Sequence, residues 1–511
     1  MSTEQPSVAS RAVGAGAWTV GTRLTSKFID LAMLLCLARF LGPAEFGLVA
    51  IAMAAVFIVE ALFELPIAAA LIRVEELTPA MLHTAFTLSL LRGIVIAVLL
   101  LALAWPMAAF NSEPRLRGLL AVLALAPALR GLVNPRMVEF ARDFNFRPEA
   151  LIELSGKAVA FSISVVIAFT TRSYWAIAAA TVCGPLVSTL MSYYFAPLRL
   201  RLTFSHWPSF SNLIGWNFLS QLSAALNWQI DRLLLPRLTT TTVFGQYAMG
   251  KQISEIPIQA LIQPLVRPSM AALASAGESR DSRYLQLSHA IALVMVPVLG
   301  VLFLWPEVLV RVALGPIWLA SAEWLRWIGV VALLGIPALL MGPLAMTLDR
   351  TRWLAIRTFV ELLVRLPLVS LSAVLYGIPG AIAAGAVATA SGTLTALLIV
   401  RRLANIGLGA QMKTLVTPMA ALLPSGAILY FSLPNVMTAP SLFEVVVRAT
   451  AFIALYFFTY GLSASLAWWL VGRPSGLEHH LGSIFSDYAS RLFAVNSGKT
   501  ATSKSSDRSH P

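Results

Sequence analysis

Runs of about twenty apolar residues with few charges recur along almost the whole chain, as at 93–109, 285–305 and 443–471. Each is long enough to span the roughly 30 Å hydrocarbon core of a bilayer as a helix. Of the 511 residues 58% are hydrophobic and 12% charged, whereas a soluble domain carries about 25% charged residues. With a mean hydropathy of +0.79, the surplus apolar surface needs lipid as its solvent. The short alternating segments of an outer-membrane barrel are absent. The chain is therefore expected to be an all-α polytopic membrane protein.

Fourteen candidate spans are expected, at about 14–41, 47–72, 82–108, 116–133, 150–171, 174–195, 210–236, 245–268, 285–305, 325–348, 353–376, 380–404, 414–433 and 445–471. The net charge of +13 lies mostly in short connections and tails, a distribution that fits cytoplasmic loops rather than nucleic-acid binding. Connections after even-numbered spans hold Arg73, Arg136, Arg142, Arg147, Arg199, Arg201, Arg280, Arg283, Arg350 and Arg352, and the tail adds Arg473, Arg491, Lys499, Lys504 and Arg508. Those after odd spans hold only Arg115, Arg117, Arg172, Arg237 and Arg311. The even side, with both termini, is expected to be cytoplasmic. The start of the chain lacks the order of a cleavable signal. Cys36 and Cys183 sit inside apolar segments, so neither a disulfide framework nor a thiolate metal site is expected.

An internal repeat emerges when the chain is offset by 198 residues: Arg39 falls on Arg237, Phe46 on Phe244, Gly47 on Gly245, Ala50 on Ala248 and Pro66 on Pro264. The copies begin on spans 1 and 7, an even separation, so they share one orientation and imply an axis along the membrane normal. The expected organisation is a cytoplasmic N-terminal segment (1–11), two pseudo-symmetric six-helix lobes (12–200 and 201–410), two extra helices (411–471) and a partly disordered cytoplasmic tail (472–511).

Charges inside lipid are costly, so those that persist usually face a cavity or a partner. On span 1, Arg23, Lys27 and Asp30 lie at i, i+4 and i+7 and share a helical face. They form either a cationic patch for an anionic head group or a pair of snorkelling side chains with a carboxylate. Span 7 carries Asn217, Gln221, Asn227, Gln229, Asp231 and Arg232, with Asn227 and Asp231 on one face. These suit either sugar hydroxyls or interhelical hydrogen bonding. Lys251, Glu255, Gln259 and Gln263 on span 8, and Arg357, Glu361 and Arg365 on span 11, stand at i, i+4 and read as self-neutralising ladders or substrate contacts. Glu60 and Glu64 on span 2, and Glu153 with Lys157 on span 5, repeat the spacing, and Glu60 or Glu64 could couple transport to protons. Pro257, Pro264, Pro268, Pro337 and Pro343 predict kinks in spans 8 and 10.

Catalysis finds little support. The six histidines are scattered, and HExxH, Walker and nucleophile-elbow patterns are missing. No catalytic residue, metal or cofactor is expected, and no ATP-driven pump.

The stretch 39–47, with Arg39, Gly42, Pro43, Glu45, Phe46 and Gly47, resembles the turn after the first span in bacterial polysaccharide flippases of the multidrug, oligosaccharidyl-lipid and polysaccharide exporter superfamily. Similar pieces follow at Arg142, Asp143, Phe144, Phe146 and Arg147; at Asp231 with Phe244, Gly245, Tyr247 and Ala248; and at Leu314, Gly315 and Trp318. Pro236 and the threonine run 239–242 depart from that pattern at the end of span 7.

The resemblance, covering about 10–400, implies export of an undecaprenyl-diphosphate-linked oligosaccharide to the outer leaflet through a cationic cavity. Carried over by position, Arg23 and Lys27 are its diphosphate contacts and Asp231 with Asn227 its second-lobe contacts; Asp30, Lys251, Glu255 and Arg365 complete the candidate substrate site. Expected partners are the lipid-linked oligosaccharide, membrane lipids, a polysaccharide polymerase and glycosyltransferases. An ion-coupled small-molecule exporter of the same architecture and a non-catalytic assembly scaffold stay open as alternatives.

Overall fold

The computed structural model describes residues 8–198, 201–207 and 215–470, and among them there is no strand. The tail expected at 472–511, most of the segment 1–11 and the side chain of Asn217 lie outside the described residues. In the first part of the chain the helices are α1 (Val8–Phe40), α2 (Pro43–Leu62), α3 (Ile67–Arg73), α4 (Pro79–Phe110), α5 (Arg115–Leu123), α6 (Leu125–Gly131), α7 (Val138–Arg142), α8 (Arg147–Thr171) and α9 (Trp175–Phe195). There follow α10 (Gly215–Leu238), α11 (Thr241–Pro257), α12 (Gln263–Ala274), α13 (Arg280–Leu304), α14 (Pro306–Ala313), α15 (Ser321–Gly335), α16 (Met341–Thr347), α17 (Arg352–Ala404), α18 (Leu408–Met437) and α19 (Leu442–Leu470).

Local chemistry sets several of these boundaries. Pro43 and Pro79 occupy the first positions of α2 and α4, where the missing N–H costs nothing. Thr78 accepts from Met81 N as the N-cap of α4. Within α17 the helical path breaks at Gly377, whose φ of +64° is open to glycine without the clash a side chain would meet. Between α11 and α12 the backbone runs as a π segment, Ile258–Ile262. Pro257 and Pro264 flank it; Pro264 has no N–H for the carbonyl four residues earlier and crowds it, so the turn widens.

A helix lies in each of the fourteen expected ranges. Among the described residues, nine are long and apolar enough to cross a bilayer, or ten if the bent pair Arg115–Gly131 and Pro135–Arg142 counts as one span. The shortfall from fourteen has a physical pattern. α1, α10 and α11 with α12 miss the apolarity standard because they carry the charged and amide side chains singled out above, and α17 counts once although Gly377 divides it. Large apolar side chains such as Val374, Leu423, Phe431, Phe443 and Phe458 stand more than two-thirds exposed. So much exposed apolar surface suits lipid, not water. The chain is a multi-pass membrane protein.

By packing, the chain divides into two units. The first takes in the chain through Ile256 with Leu309–Val331 and Ala355–Gly392; the second comprises Pro257–Val308, Ala332–Leu354 and the chain from Thr393 on. One border falls between Ile256 and Pro257, at the edge of the π segment.

The core of the first unit joins Leu48, Ile51 and Val56 of α2, Ile96 and Leu100 of α4, Leu119 and Leu120 of α5, Ile230 and Leu235 of α10, Phe244 and Ala248 of α11, and Val369 of α17. At one edge of it α2 and α11 cross on two glycines. A Cβ on Gly47 would stand 2.1 Å from Thr241 O and 3.0 Å from Gly245 N; a Cβ on Gly245 would stand 1.8 Å from Pro43 O and 3.0 Å from Gly47 N. Pro43 and Thr241, like the glycines, are 198 residues apart. The two glycines thus meet reciprocally, as residues at a two-fold axis relating the two copies would. The arginines at the ends of the first span of each copy behave alike. Arg39 donates to Val312 O (2.5 Å), just before the loop at Leu314, and Arg237 to Ser112 Oγ (2.9 Å) in the loop after α4, so each copy reaches past the third span of the other. Trp318 Nε1 donates to Ala38 O (2.8 Å), and its ring meets Phe46 edge-on.

The second unit is tied by aromatic donors. Pro297 inside α13 leaves Leu293 O without its helical donor, and Tyr460 OH of α19 supplies one at 3.1 Å. Tyr456 OH donates to Pro297 O at 2.8 Å and Trp305 Nε1 to Leu429 O at 2.5 Å. Here the polar groups satisfy backbone; the charged groups of interest lie in the first unit.

Candidate functional site

Three groups of charged side chains sit on the helices of the first unit. The first joins α1 to α8, which run parallel. Lys157 Nζ pairs with Asp30 Oδ1 at 2.5 Å, Ser26 Oγ donates to Glu153 Oε1 at 2.5 Å, and Arg23 is the cation acting on Glu149. The rungs keep an offset of about 127 residues because both helices present the i, i+3/i+4 rows of one face. The expected cationic patch is therefore only half of a larger set. Arg23, Lys27 and Lys157 stand against Asp30, Glu149 and Glu153, three cations to three carboxylates. Arg23 and Lys27 are exposed and Asp30 is half-buried.

The second group gathers around Asp231 on α10, a residue 5% exposed. Lys251 Nζ of α11 lies 2.6 Å from Oδ2 and 2.9 Å from Oδ1, and donates also to Trp228 O at 3.0 Å. Tyr247 OH, one turn before Lys251 on the same face, donates to Asp231 Oδ2. Arg232 N donates to Asp231 Oδ1 at 3.0 Å, and the charges acting on Glu255 are Arg232 and Lys251, then Asp231. Asn227 Nδ2 reaches Thr358 O of α17 at 2.8 Å. On α17 itself Glu361 holds Arg365 at 2.9 Å and Arg357 at 3.6 Å, the ladder expected from their spacing. Arg365 also donates to Thr389 Oγ1 at 3.1 Å.

The other expected ladder is corrected. Lys251 turns to Asp231 across helices rather than along its own, and the regular helix that would continue the ladder ends at Pro257, where the π segment begins. Three buried polar atoms of this group lack any hydrogen-bond partner: Asn227 Oδ1, Arg232 Nε and Arg365 Nε. Two donors and one acceptor left over in a buried cluster are capacity for a polar ligand. Four cations (Arg232, Lys251, Arg357, Arg365) face three carboxylates (Asp231, Glu255, Glu361).

The third group is Glu60 of α2 with Arg130 of α6 at 2.8 Å, with Arg92 of α4 and Glu64 acting on the same carboxylate. Gln221 Nε2 of α10 donates to Glu64 Oε2 at 2.8 Å. No set of three or more His, Cys, Asp or Glu suited to a metal occurs among the described residues.

The structure thus brings Asn227, Asp231, Lys251, Glu255 and Arg365 into one group and places Arg23, Lys27 and Asp30 in another. Sequence reasoning missed Tyr247, Arg232 as a member of the cluster, and Glu149. The i, i+4 spacing of Tyr247 and Lys251 was available as a signal; the pairing of α1 with α8 was not, since parallel spans far apart in sequence leave no trace in either.

Comparison with known proteins follows the same lines. A family described as "Polysaccharide biosynthesis protein" matches residues 36–323. The chain is 22% identical over 352 residues to the lipopolysaccharide biosynthesis protein WzxC of Escherichia coli (strain K12), covering 64% of this chain and 68% of that one. It is 21% identical over 306 residues to the succinoglycan biosynthesis transport protein ExoT of Rhizobium meliloti (strain 1021), covering 59% of this chain and 62% of that one. Among solved structures, the lipid II flippase MurJ in an inward closed conformation superposes with a TM-score of 0.71 at 12% identity, over 89% of this chain and 99% of that one. At that identity the likeness is one of fold.

Proposed function

The chain belongs to the polysaccharide biosynthesis protein family, and from that premise we propose that it flips a polyprenyl-diphosphate-linked oligosaccharide from the cytoplasmic to the outer leaflet of the cell inner membrane, for surface polysaccharide assembly. It acts as a transporter and not an enzyme, with both termini cytoplasmic. The observation that carries the reading is the buried cluster around Asp231, which keeps one acceptor and two guanidinium donors unsatisfied on helices too polar to serve lipid. Sugar hydroxyls and acidic sugar substituents fit that capacity.

In this mechanism Arg23 and Lys27, whose charged heads are exposed, meet the diphosphate, and Asp30 with its Lys157 partner holds their helix against α8. Asn227 and Arg365 take the glycan, while Asp231, Lys251 and Glu255 fix the geometry of the cluster. The lobes 12–200 and 201–410 rock against each other to alternate access, and the polyprenyl tail stays in lipid. The likeness to WzxC and ExoT, whose names speak of lipopolysaccharide biosynthesis and succinoglycan transport, supports the cargo class. An exporter of cationic drugs would want a net acidic cluster; four cations against three carboxylates favour an anionic cargo.

The test is deletion of the gene in its host, with surface polysaccharide and the leaflet position of the lipid-linked precursor as readouts. Complementation uses the wild type or Arg23→Ala with Lys27→Ala. The deletion is expected to leave precursor on the inner leaflet and the double variant to restore little. Normal outward movement of precursor in the deletion strain overturns the function; full complementation by the double variant overturns the site alone.

A further inference from the structure

We infer that the cleft between α1 and α8 at the level of Trp18 seats one anionic glycerophospholipid of the surrounding bilayer, its phosphate on Arg147 and one acyl chain along Gly21 and Leu154. The cleft is an open groove of about 390 Å³, lined by Trp18, Gly21, Thr22, Thr25 and Leu154. Residues 18, 21, 22 and 25 share one helical face, turned by more than a quarter of a circle from the face of Arg23 and Lys27. The cleft is therefore separate from the charged rungs assigned to cargo.

Two observations give it a ligand chemistry. The Arg147 guanidinium lies over the Trp18 ring, 5.8 Å from its centroid, so an aromatic wall holds a cation at the mouth. Arg147 opens α8 on the side where the loop charges place the cytoplasm, the depth at which Trp and Arg meet lipid head groups. Thr22 is 7% exposed, and its Oγ1 has no hydrogen-bond partner. A buried hydroxyl left over beside an apolar cleft is satisfied by an ester or phosphate oxygen. Glu149, the nearest carboxylate along α8 in sequence, has Glu153 and Arg23 as its charged neighbours.

Charge decides between lipids. At about 30 Å³ for a water-sized group, the groove holds roughly a dozen such groups, enough to seat part of one acyl chain. The exposed Arg147 beside Trp18 then favours an anionic head group over a zwitterionic one. The occupant is a resident bilayer lipid, and it braces the parallel pair α1 and α8.

Native mass spectrometry of the purified full-length protein, released from micelles holding equal phosphatidylglycerol and phosphatidylcholine of matched chains, tests this. The wild type should retain one phosphatidylglycerol. A Cβ at Gly21 meets nothing within 4 Å, so Gly21→Leu fills the cleft without displacing the fold. Gly21→Leu and Arg147→Gln should each lower retention about tenfold, and Thr22→Val by less. Arg352→Gln is the control, because Arg352 lies over Trp353 at 5.7 Å in the same kind of pair but on α17, away from the α1 and α8 residues that form the cleft; it should change nothing. Equal retention of phosphatidylcholine, unchanged retention in Gly21→Leu, or displacement of the bound lipid by polyprenyl phosphate would each overturn the inference. None of these outcomes bears on the flippase assay above.

Discussion

The rungs between α1 and α8 and the cluster joining α10, α11 and α17 both pair charged side chains across helices, yet they differ in nearly every physical respect. The first is balanced in charge, with Asp30 39% and Lys157 28% exposed at the side chain. The second carries one extra cation, buries Asp231 and Lys251 to 8% and 14%, and leaves three polar atoms unsatisfied. The backbone crossing at Gly47 and Gly245 is reciprocal while the polar chemistry beside it is not. Under the proposed function, the two unlike ends of an amphipathic cargo, a charged diphosphate and a hydroxyl-rich glycan, would give a reason for that difference.

The contrast can be broken most sharply at the carboxylates. Asp231→Ala strands Lys251 in a buried site and should cost about 3–5 kcal/mol, read as a fall in thermal unfolding temperature in detergent. In the α1–α8 group, Asp30→Ala should cost less, about 1 kcal/mol, because the half-buried pair with Lys157 leaves both side chains more accessible than Asp231 and Lys251. Equal losses would abolish the distinction.

Next in size, Gly245→Ala inserts a methyl where Pro43 O already stands, an overpacking of about 1–3 kcal/mol or more. By symmetry Gly47→Ala should match it in both unfolding and flipping rate in proteoliposomes, and a large inequality would move the axis elsewhere. Tyr247→Phe removes one hydrogen bond to a buried carboxylate and should cost about 1.5–3 kcal/mol, measured by the same unfolding assay.

The smallest effect belongs to the loop after α4. The hydrogen bond from Arg115 holds the Glu113 carboxyl below its usual range. A depressed folded value means the contribution is present near neutrality and is lost as pH falls below about 4.5. Glu113→Gln should therefore flatten the acid limb of a stability profile only slightly, the pair being solvent-screened.

How much of this was legible beforehand depends on the range of the interactions. Spans show in sequence because apolarity is summed over twenty residues, and the Arg357, Glu361 and Arg365 ladder shows because its partners are one turn apart. The 198-residue offset also drew attention to Gly47 and Gly245, which the structure brings into close contact. What did not show was the choice among partners. Lys251 had Glu255 one turn away and took Asp231 instead, since a buried carboxylate already held by Tyr247 outweighs a ladder. The π segment at Ile258–Ile262 was hidden too: prolines announce a kink but not the phase by which it rotates the following face.

The glycine crossing has one more consequence, in kinematics. A point on a rotation axis does not move when the body turns about it. If the two lobes twisted about the membrane normal, Gly47 and Gly245 would remain in contact throughout the cycle. A tilt about a line in the membrane plane that passes away from the contact separates them. A disulfide bridging the flanking positions Pro43 and Thr241 would therefore tolerate the first motion and arrest the second, which makes this one contact a gauge of how the molecule moves.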